Sequence, residues 1–444
     1  MNQSYIEHLQ KIVQIPTVSS AEDAHTDWEP FKKLHQFLEE TYPFIHSRME
    51  KTDIGHASLL FHWKSSHPKK APVLLMAHQD VVPTGPLSQW TYDPFSGMIA
   101  DGCLWGRGSN DIKCLLIAEC EAVEELLKEG FDPDFDIYLA FGHNEEVRCS
   151  DDQKGSALTA RCLKEQGVHI GCIFDEGGKV KKGSDFGYTS DAAFVYMTEK
   201  APTQFKLYKN GTGGHGSMPG QGTVLGAVAR GMVAVEEHPF PYRLSDTGRL
   251  EIEGLAKVAA GKKQKIFAHP DVHWTELCRL AREDRFLDAV LHTTMAVNMA
   301  SGSPQPNVLP AHAESVVNIR ILQGDTLRSV KEYLENLMPD GVKVDIISGQ
   351  DPIPEAKAEG MEFETLTKAV RAVYGETVPV IPSIMPGATD SRKYVDVCDH
   401  IFRFSGCIET KEWGEAHQID ERVPVDVEEA PVHFFKTFLQ LYGK

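Results

Sequence analysis

Three short apolar runs, each delivering acids and histidines at its carboxyl end, constrain this chain more than any other feature of its sequence. Val73-Leu74-Leu75-Met76-Ala77 ends in His78-Gln79-Asp80. Phe135-Asp136-Ile137-Tyr138-Leu139-Ala140-Phe141 ends in Gly142-His143-Asn144-Glu145-Glu146, and Cys172-Ile173-Phe174 ends in Asp175-Glu176-Gly177-Gly178. Runs of this kind read as strands buried on both faces, as in a parallel sheet covered by helices. Helical patterns fall between them, at 115–128, closed by Gly130, and at 156–165. Strand and helix alternating in this way predict a three-layer α/β domain. Open sheets of that kind hold ligands along the carboxyl edge, where these polar residues fall.

The flanking chain extends the pattern and then breaks it. Ser4-Tyr5-Ile6-Glu7 reads as a capping box, with Ile6, Leu9, Ile12 and Val13 at helical spacing until Pro16. A second amphipathic helix carries Phe31, Leu34, Phe37 and Leu38, and 57–63 reads as a strand. From about Tyr196 the texture changes: Phe205-Lys206-Leu207-Tyr208-Lys209 alternates like a half-exposed strand, followed by a helix over 223–236. A strand at 316–322, a helix at 327–337 and a strand at 342–347 complete a small α+β unit with an antiparallel sheet. Between its halves, 249–301 carries a helical pattern in Leu277, Leu280, Phe286, Leu287 and Val290 that the sequence assigns to neither unit. The α/β texture returns from about Pro352, with a helix at 363–374, a strand at 401–404 and a terminal helix through Phe434, Phe438 and Leu441. The simplest organisation is a discontinuous metal-binding domain, 1–195 with 352–444, interrupted by an inserted domain over 196–351.

Composition narrows the function. At 444 residues the chain exceeds what one core supports. Its formal charge of −19 argues against a nucleic-acid surface and against anionic lipid, since both demand excess Lys and Arg. No stretch is apolar for long enough to span a bilayer, and Met1-Asn2-Gln3-Ser4 begins no signal-peptide pattern. Nine cysteines without a C-x-x-C pair suggest reduced thiols, so a cytoplasmic location is expected. Cys114, Cys120 and Cys162 fall in helical patterns and read as core filler.

Taken together, His78, Asp80, Asp111, Glu145, Glu146, Glu176 and His417 form the candidate chemistry, Asp111 lying in a glycine-rich turn that opens a helix. Imidazole and carboxylate ligands suit Zn²⁺ or a similar divalent ion, with Co²⁺ or Mn²⁺ as alternatives. Two metals sharing a carboxylate, each with two terminal ligands, need the number of protein ligands available here. The sequence resembles the M20 family of metallopeptidases and aminoacylases across nearly its whole length. The resemblance is carried by Ala77-His78-Gln79-Asp80-Val81-Val82-Pro83, Gly106-Arg107-Gly108 with Asp111 and Lys113, Glu145-Glu146-Val147 and Asp175-Glu176-Gly177. It continues through Gly214-His215-Gly216-Ser217-Met218-Pro219, Asn307-Val308-Leu309-Pro310, Val317-Asn318-Ile319-Arg320, Gly387-Ala388-Thr389-Asp390-Ser391-Arg392, and His417 ahead of Asp420-Glu421-Arg422. Gln89-Trp90 and Asp93-Pro94-Phe95-Ser96-Gly97 place it nearest the carboxypeptidase S, aminoacylase-1 and N-fatty-acyl-amino-acid hydrolase branch.

That resemblance implies a ferredoxin-like inserted domain acting as a lid or a dimerisation surface. It implies two metal ions, His78 and Glu176 on one, Glu146 and His417 on the other, Asp111 between them, and a cis peptide after Asp111. Asp80 would hydrogen-bond and orient His78, and Glu145 would be the general base, passing a proton from water to the leaving amine. His215 and Asn307 would stabilise the oxyanion, while Arg320, with Arg392 as a second candidate, would hold a substrate carboxylate. His215 would act from a partner subunit of a homodimer or after lid closure. Asp175 is an alternative to Glu176, Arg107 and Lys113 are candidates for structural ion pairs, and His143 for a packed loop residue. Two positions depart from the pattern: Arg148-Cys149 where many relatives have Gly-Gly, and Ser405-Gly406-Cys407. The expected activity is hydrolysis of the amide between an acyl or aminoacyl group and an amino acid with a free carboxylate, on an N-acyl amino acid or short peptide. The alternatives are a non-catalytic ligand-binding homologue, which would have lost Glu145 or a metal ligand, and a two-metal phosphoesterase, which would want a more basic site.

Overall fold

The computed structural model describes residues 3–426 and 429–443. An eight-stranded mixed sheet forms its centre, in the order Glu50–Ile54, Ser58–Trp63, Ile137–Gly142, Val73–His78, Cys172–Lys181, Ile401–Glu409, Ala192–Glu199 and Val380–Met385. The Val73–His78 strand runs parallel to both Ile137–Gly142 and Cys172–Lys181, so the three runs singled out in the sequence are neighbours with their carboxyl ends on one edge. Every residue of Val73–His78 and Ile137–Gly142 is buried. Alternation explains why both faces need apolar residues. Val73, Leu75 and Ala77 face one core with the helices Gln3–Val13, Cys114–Lys128 and Glu429–Tyr442, while Leu74 and Met76 face the other with Leu163 of the helix Gly155–Glu165. On the first face the Phe174 ring is met by Phe402, Phe434, Phe435 and Phe438, with ring centroids 4.6–5.8 Å away.

A separate four-stranded antiparallel sheet takes the order Thr294–Ser301, His312–Ile321, Ala201–Asn210, Lys343–Ser348, and the helices Val224–Glu237 and Leu327–Leu337 pack with it. Its own core contains Phe205, Leu207, Val317, Ile319, Val330 and Leu334. The mixed architecture of the sequence analysis is therefore present, large mixed sheet and smaller antiparallel sheet alike.

Four details differ from the sequence reading. The helix spans Gln3–Val13, so Ser4 lies within its first turn instead of preceding it. The strand begun at Cys172 does not end at Asp175-Glu176 but continues to Lys181. Gly177, at φ 128°, and Gly178, where a β-carbon would overlap the Phe194 carbonyl oxygen, let the strand bend past the site, and its register with Ile401–Glu409 shifts there. Val380–Met385 is an additional edge strand, parallel to Ala192–Glu199. Finally, the helices Asp246–Leu255, Gly261–Ala268, Trp274–Ala281 and Arg285–Leu291 pack through Ile252, Leu277, Leu287 and Val290 onto Ala192, Phe194, Ile381 and Ile384 of the large sheet. An amphipathic stripe states that a helix buries one face, not which sheet receives it.

Candidate metal centre

The sheet edge gathers side chains that lie far apart in sequence. His78, the last residue of its strand, is 2% exposed, and its Nδ1 donates to the Asp80 main-chain carbonyl at 2.9 Å. With Nδ1 committed to that carbonyl, Nε2 is the ring nitrogen that faces the acids: 3.1 Å from Asp111 Oδ1 and 3.9 Å from Glu176 Oε1. On the other side of Asp111, His417 Nε2 lies 3.0 Å from Asp111 Oδ2 and 2.8 Å from Glu146 Oε2. Asp111 thus turns one oxygen to each histidine. Candidate ligand atoms of His78, Glu145 and Glu176, and of His78, Asp111 and Glu146, lie within 4.8 Å of one another. The Asp111–Ile112 peptide is cis, as the resemblance implied.

Each of these groups is held by its own scaffold. The Asp80 carboxylate does not take the His78 proton, for its Oδ1 is 3.7 Å from Nδ1. It accepts instead from Glu145 N and Glu146 N, both at 3.1 Å, and from Ser19 Oγ at 2.8 Å. This corrects the sequence reading: the main chain at Asp80 orients His78, and the side chain positions Glu145-Glu146. The turn into that pair needs a left-handed residue, supplied by Asn144 at φ 62°, whose side chain ties down to Asp23 and the Gln153 carbonyl. Asp111 is fixed through Glu421, fully buried, which accepts from Asp111 N at 3.1 Å, Asn110 N at 2.9 Å and Arg107 Nη1 at 2.5 Å. Arg107 Nη2 also donates to the His417 carbonyl, so one ion pair holds both Asp111 and His417. Among the described residues Lys113 makes no such pair. Its ammonium donates to the Ile12 and Ile15 carbonyls, and burial brings its pKa down to about 7.

The electrostatics are those of acids crowded without enough positive charge. Burial, then the Asp390 charge, pushes the Glu145 carboxyl well above the usual carboxylate range. Burial and the Asp111 charge do the same to Glu176, and burial outweighs His417 at Glu146. Burial also acts to raise Asp111, but hydrogen bonds from His417 and His78 hold it well below its ordinary value. Hydrogen bonds to Asp111 and Glu146 bring His417 up to about 10. Burial acts to lower His78, yet the Asp111 bond and the Glu176 charge hold it above its usual range. Among the described residues Glu146 Oε1 is buried without a hydrogen-bond partner. Converging carboxylates, histidines offering Nε2 and an orphaned oxygen make a donor set that fits divalent cations.

The remaining candidates divide into two groups. Asp175 is turned away, accepting from Glu176 N and Ser391 N, which leaves Glu176 facing His78. His143 is a packed residue, bonded through Nδ1 to Ser58 Oγ and edge-on to Trp28. Arg392 Nε lies 3.4 Å from Glu199 Oε1, and its charge lowers the pKa of Arg320. His215 and Asn307 lie together on the exposed Gly214–His215 and Val308–Leu309 ribbon, where Gly216 N donates to the Asn307 carbonyl and His215 bonds Ser217. The structure brings those two to each other, and among the described residues no hydrogen bond or ion pair joins either to the acids around Asp111.

Sequence reasoning missed several participants. Lys154 donates to the Glu145 carbonyl at 3.1 Å and stands 3.6 Å from Asp390, whose oxygens are buried without hydrogen-bond partners. Glu199, fully buried, accepts from Arg403 Nε at 3.0 Å and Thr389 N at 2.8 Å. Asp390 and Thr389 fall inside a quoted motif, but Glu199 and Lys154 carry no signal in one sequence.

With this geometry in place, comparison with known proteins is informative. The model of peptidase family M20/M25/M40 matches residues 74–441. A probable carboxypeptidase S-like protein of Dictyostelium discoideum is 31% identical over 436 residues, covering 97% of this chain and 83% of that protein. An N-fatty-acyl-amino acid synthase/hydrolase of Xenopus tropicalis is 29% identical over 441 residues, covering 98% and 85%. Among solved structures, an M20 family metallo-carboxypeptidase from Sulfolobus solfataricus superposes with a TM-score of 0.70 at 16% identity, covering 100% of both chains.

Proposed function

The chain belongs to peptidase family M20/M25/M40 and is a hydrolase of peptide or amide bonds; we propose how its site does this and on what. The observation that carries the reading is the convergence of His78, Asp111, Glu146, Glu176 and His417 beside Glu145. His78 and Glu176 would hold one divalent ion, Glu146 and His417 a second, with Asp111 shared, and zinc suits the mixed imidazole and carboxylate set. When bound, such ions supply Lewis acidity that polarises the amide carbonyl and lowers the pKa of water from about 15.7 toward ~7.

Glu145 then takes the proton of the attacking water and returns it to the departing amine. A carboxyl held above its ordinary range by burial suits that two-way transfer. Asp80 positions Glu145 through its main-chain N–H, and Lys154 holds its carbonyl. Arg320 and Arg392 take the carboxylate of the substrate's amino-acid half. His215 and Asn307 serve the developing oxyanion after closure of the inserted unit, which we place at 196–351, or from a second subunit. The substrate is an N-acyl amino acid or short peptide with a free carboxylate. A reducing, cytoplasmic setting suits nine cysteines that are all unpaired, and no described helix is long and apolar enough to cross a membrane.

A panel of dipeptides and N-acyl amino acids, each with free and amidated carboxyl ends, tests this reading. Turnover confined to free carboxylates, with discrimination lost in Arg320→Ala through KM, supports it; equal turnover of the amidated forms contradicts the carboxylate clamp.

A further inference from the structure

A buried guanidinium is left half-used beside the segment that returns the chain from the small sheet to the large one. Between the Lys343–Ser348 strand and the helix Gly360–Tyr374 that segment passes the end of Ala192–Glu199, where Ala356 N donates to the Met197 carbonyl at 2.9 Å. Ala192–Glu199 is in turn paired with Ile401–Glu409 through Tyr196 and Arg403. Among these elements lies a cavity of about 390 Å³, and Arg403 forms part of its wall. Arg403 is fully buried, and its Nε is committed to Glu199 Oε2 at 3.0 Å and Thr389 Oγ1 at 3.1 Å. Its Nη1 and Nη2 have no hydrogen-bond partner among the described residues. Glu199 also serves Arg392, whose Nε is 3.4 Å from Oε1, so two guanidiniums share one carboxylate. Idle donors on a buried charge are costly unless something accepts from them.

The rest of the wall selects the acceptor. Met197, Ile353, Pro354, Val395 and Ile401 make it largely apolar, and Lys357 adds an exposed positive charge. Two acids share the wall, but Glu355 is engaged by Thr247 N and Oγ1, and Asp399 is 82% exposed, 3.9 Å from His169. Two Nη atoms on one fork match the two oxygens of a carboxylate. A monoanion balances the surplus guanidinium, whereas the two acids oppose a dianion such as phosphate. The volume is near the low end for small-molecule sites, which limits the ligand's size. We propose that this cavity binds a small monocarboxylate with a short apolar body, its carboxylate on Arg403 Nη1 and Nη2. None of the wall residues is a candidate metal ligand, so the site is separate from the metal centre, while Glu199 connects it to Thr389 and Arg392.

The test is calorimetric titration of the metal-loaded protein with hexanoate, its neutral isostere hexanamide and inorganic phosphate, at constant ionic strength. One charge-assisted pair predicts that hexanoate binds ~10-fold or more tightly than either of the others. Val395→Trp fills the cavity without touching the Arg403–Glu199 pair, and should remove one hexanoate site per chain with metal content unchanged. Arg403→Gln should weaken that site ~10-fold or more. If Arg403→Gln fails to fold because it strands Glu199, Val395→Trp and hexanamide decide the matter. Hexanoate binding unchanged in Val395→Trp would put the carboxylate at the metal centre and overturn the inference. So would hexanoate no tighter than hexanamide, phosphate tighter than hexanoate, or no hexanoate binding at millimolar concentration.

Discussion

Replacing Asp80 by Asn separates the two ways this residue could serve the site. In the structure its Oδ1 accepts from Glu145 N, while Oδ2 accepts from Glu146 N and Ser19 Oγ. An amide can keep only one of the two oxygens. The less damaging orientation keeps the oxygen facing Glu146 and Ser19 and points the NH₂ at Glu145 N, donor against donor. That removes one hydrogen bond to a charged acceptor, worth about 1.5–3 kcal/mol, and weakens the other two by roughly half. A loss of stability of about 3 kcal/mol follows, centred on the residue that handles the proton. Displacement of that residue by ~1 Å costs roughly 10²-fold in rate. His78, in contrast, keeps its bond to the Asp80 main-chain carbonyl. Asp80→Asn should therefore lower kcat by ~10–10³ at saturating metal while leaving metal affinity within a few-fold of wild type. Steady-state kinetics together with a metal titration read both quantities. Metal affinity reduced ~10–100-fold with full kcat at saturation would mean that the carboxylate orients His78, and would refute this reasoning.

Other outcomes follow from the same geometry. Glu145→Gln keeps the shape of the site but removes the proton carrier, so kcat should fall by ~10²–10⁴ with metal content unchanged; unaltered turnover would move the base elsewhere. Glu421→Ala strands the buried Arg107 guanidinium, so unfolding free energy should drop by about 3–5 kcal/mol in a denaturant titration, and a near-neutral change would show that Arg107 finds another partner. Glu251, buried on Asp246–Leu255 with Oε2 3.0 Å from Ile384 N, has its carboxyl pushed by burial from 4.5 up to about 8. Between those values the folded chain binds a proton that the unfolded chain releases, so stability falls as pH rises through the window and levels off above it. The gain in Tm on Glu251→Gln should grow from pH 5 to pH 8, and parallel curves would contradict it. If a partner subunit supplies His215, mixing His215→Ala with Glu145→Gln chains should restore part of the activity, whereas verified mixed dimers without recovery would leave closure within one chain.

Much of the site was legible because its residues sit at the ends of strands whose apolar runs fix their register. His78, Glu145 and Glu146 follow directly from two fully buried parallel neighbours. Asp111 and His417 came from motif resemblance, and the structure places them 3.0 Å apart. What stayed hidden depends on contacts between distant segments. Glu421 supports Asp111 across 310 positions, and Glu199 meets Arg403 across 204. Nothing local marks either pair. Asp80 was singled out for the wrong bond, since HxD spacing alone does not distinguish a carboxylate from the carbonyl of the same residue. The helical pattern through Leu277, Leu280, Phe286, Leu287 and Val290 was visible, whereas the helices Asp246–Leu255 and Gly261–Ala268 were not singled out, and docking beside Ile381 and Ile384 is a property of the large sheet, one strand of which carries a proline at 382.

The central claim, that the acids and histidines around Asp111 hold metal for catalysis, is tested most directly by the metal content of the purified protein, followed with activity through chelation and readdition. The account predicts up to two divalent ions per chain, activity lost with them, and activity restored by zinc, cobalt or manganese. A metal-free preparation with full activity would contradict it.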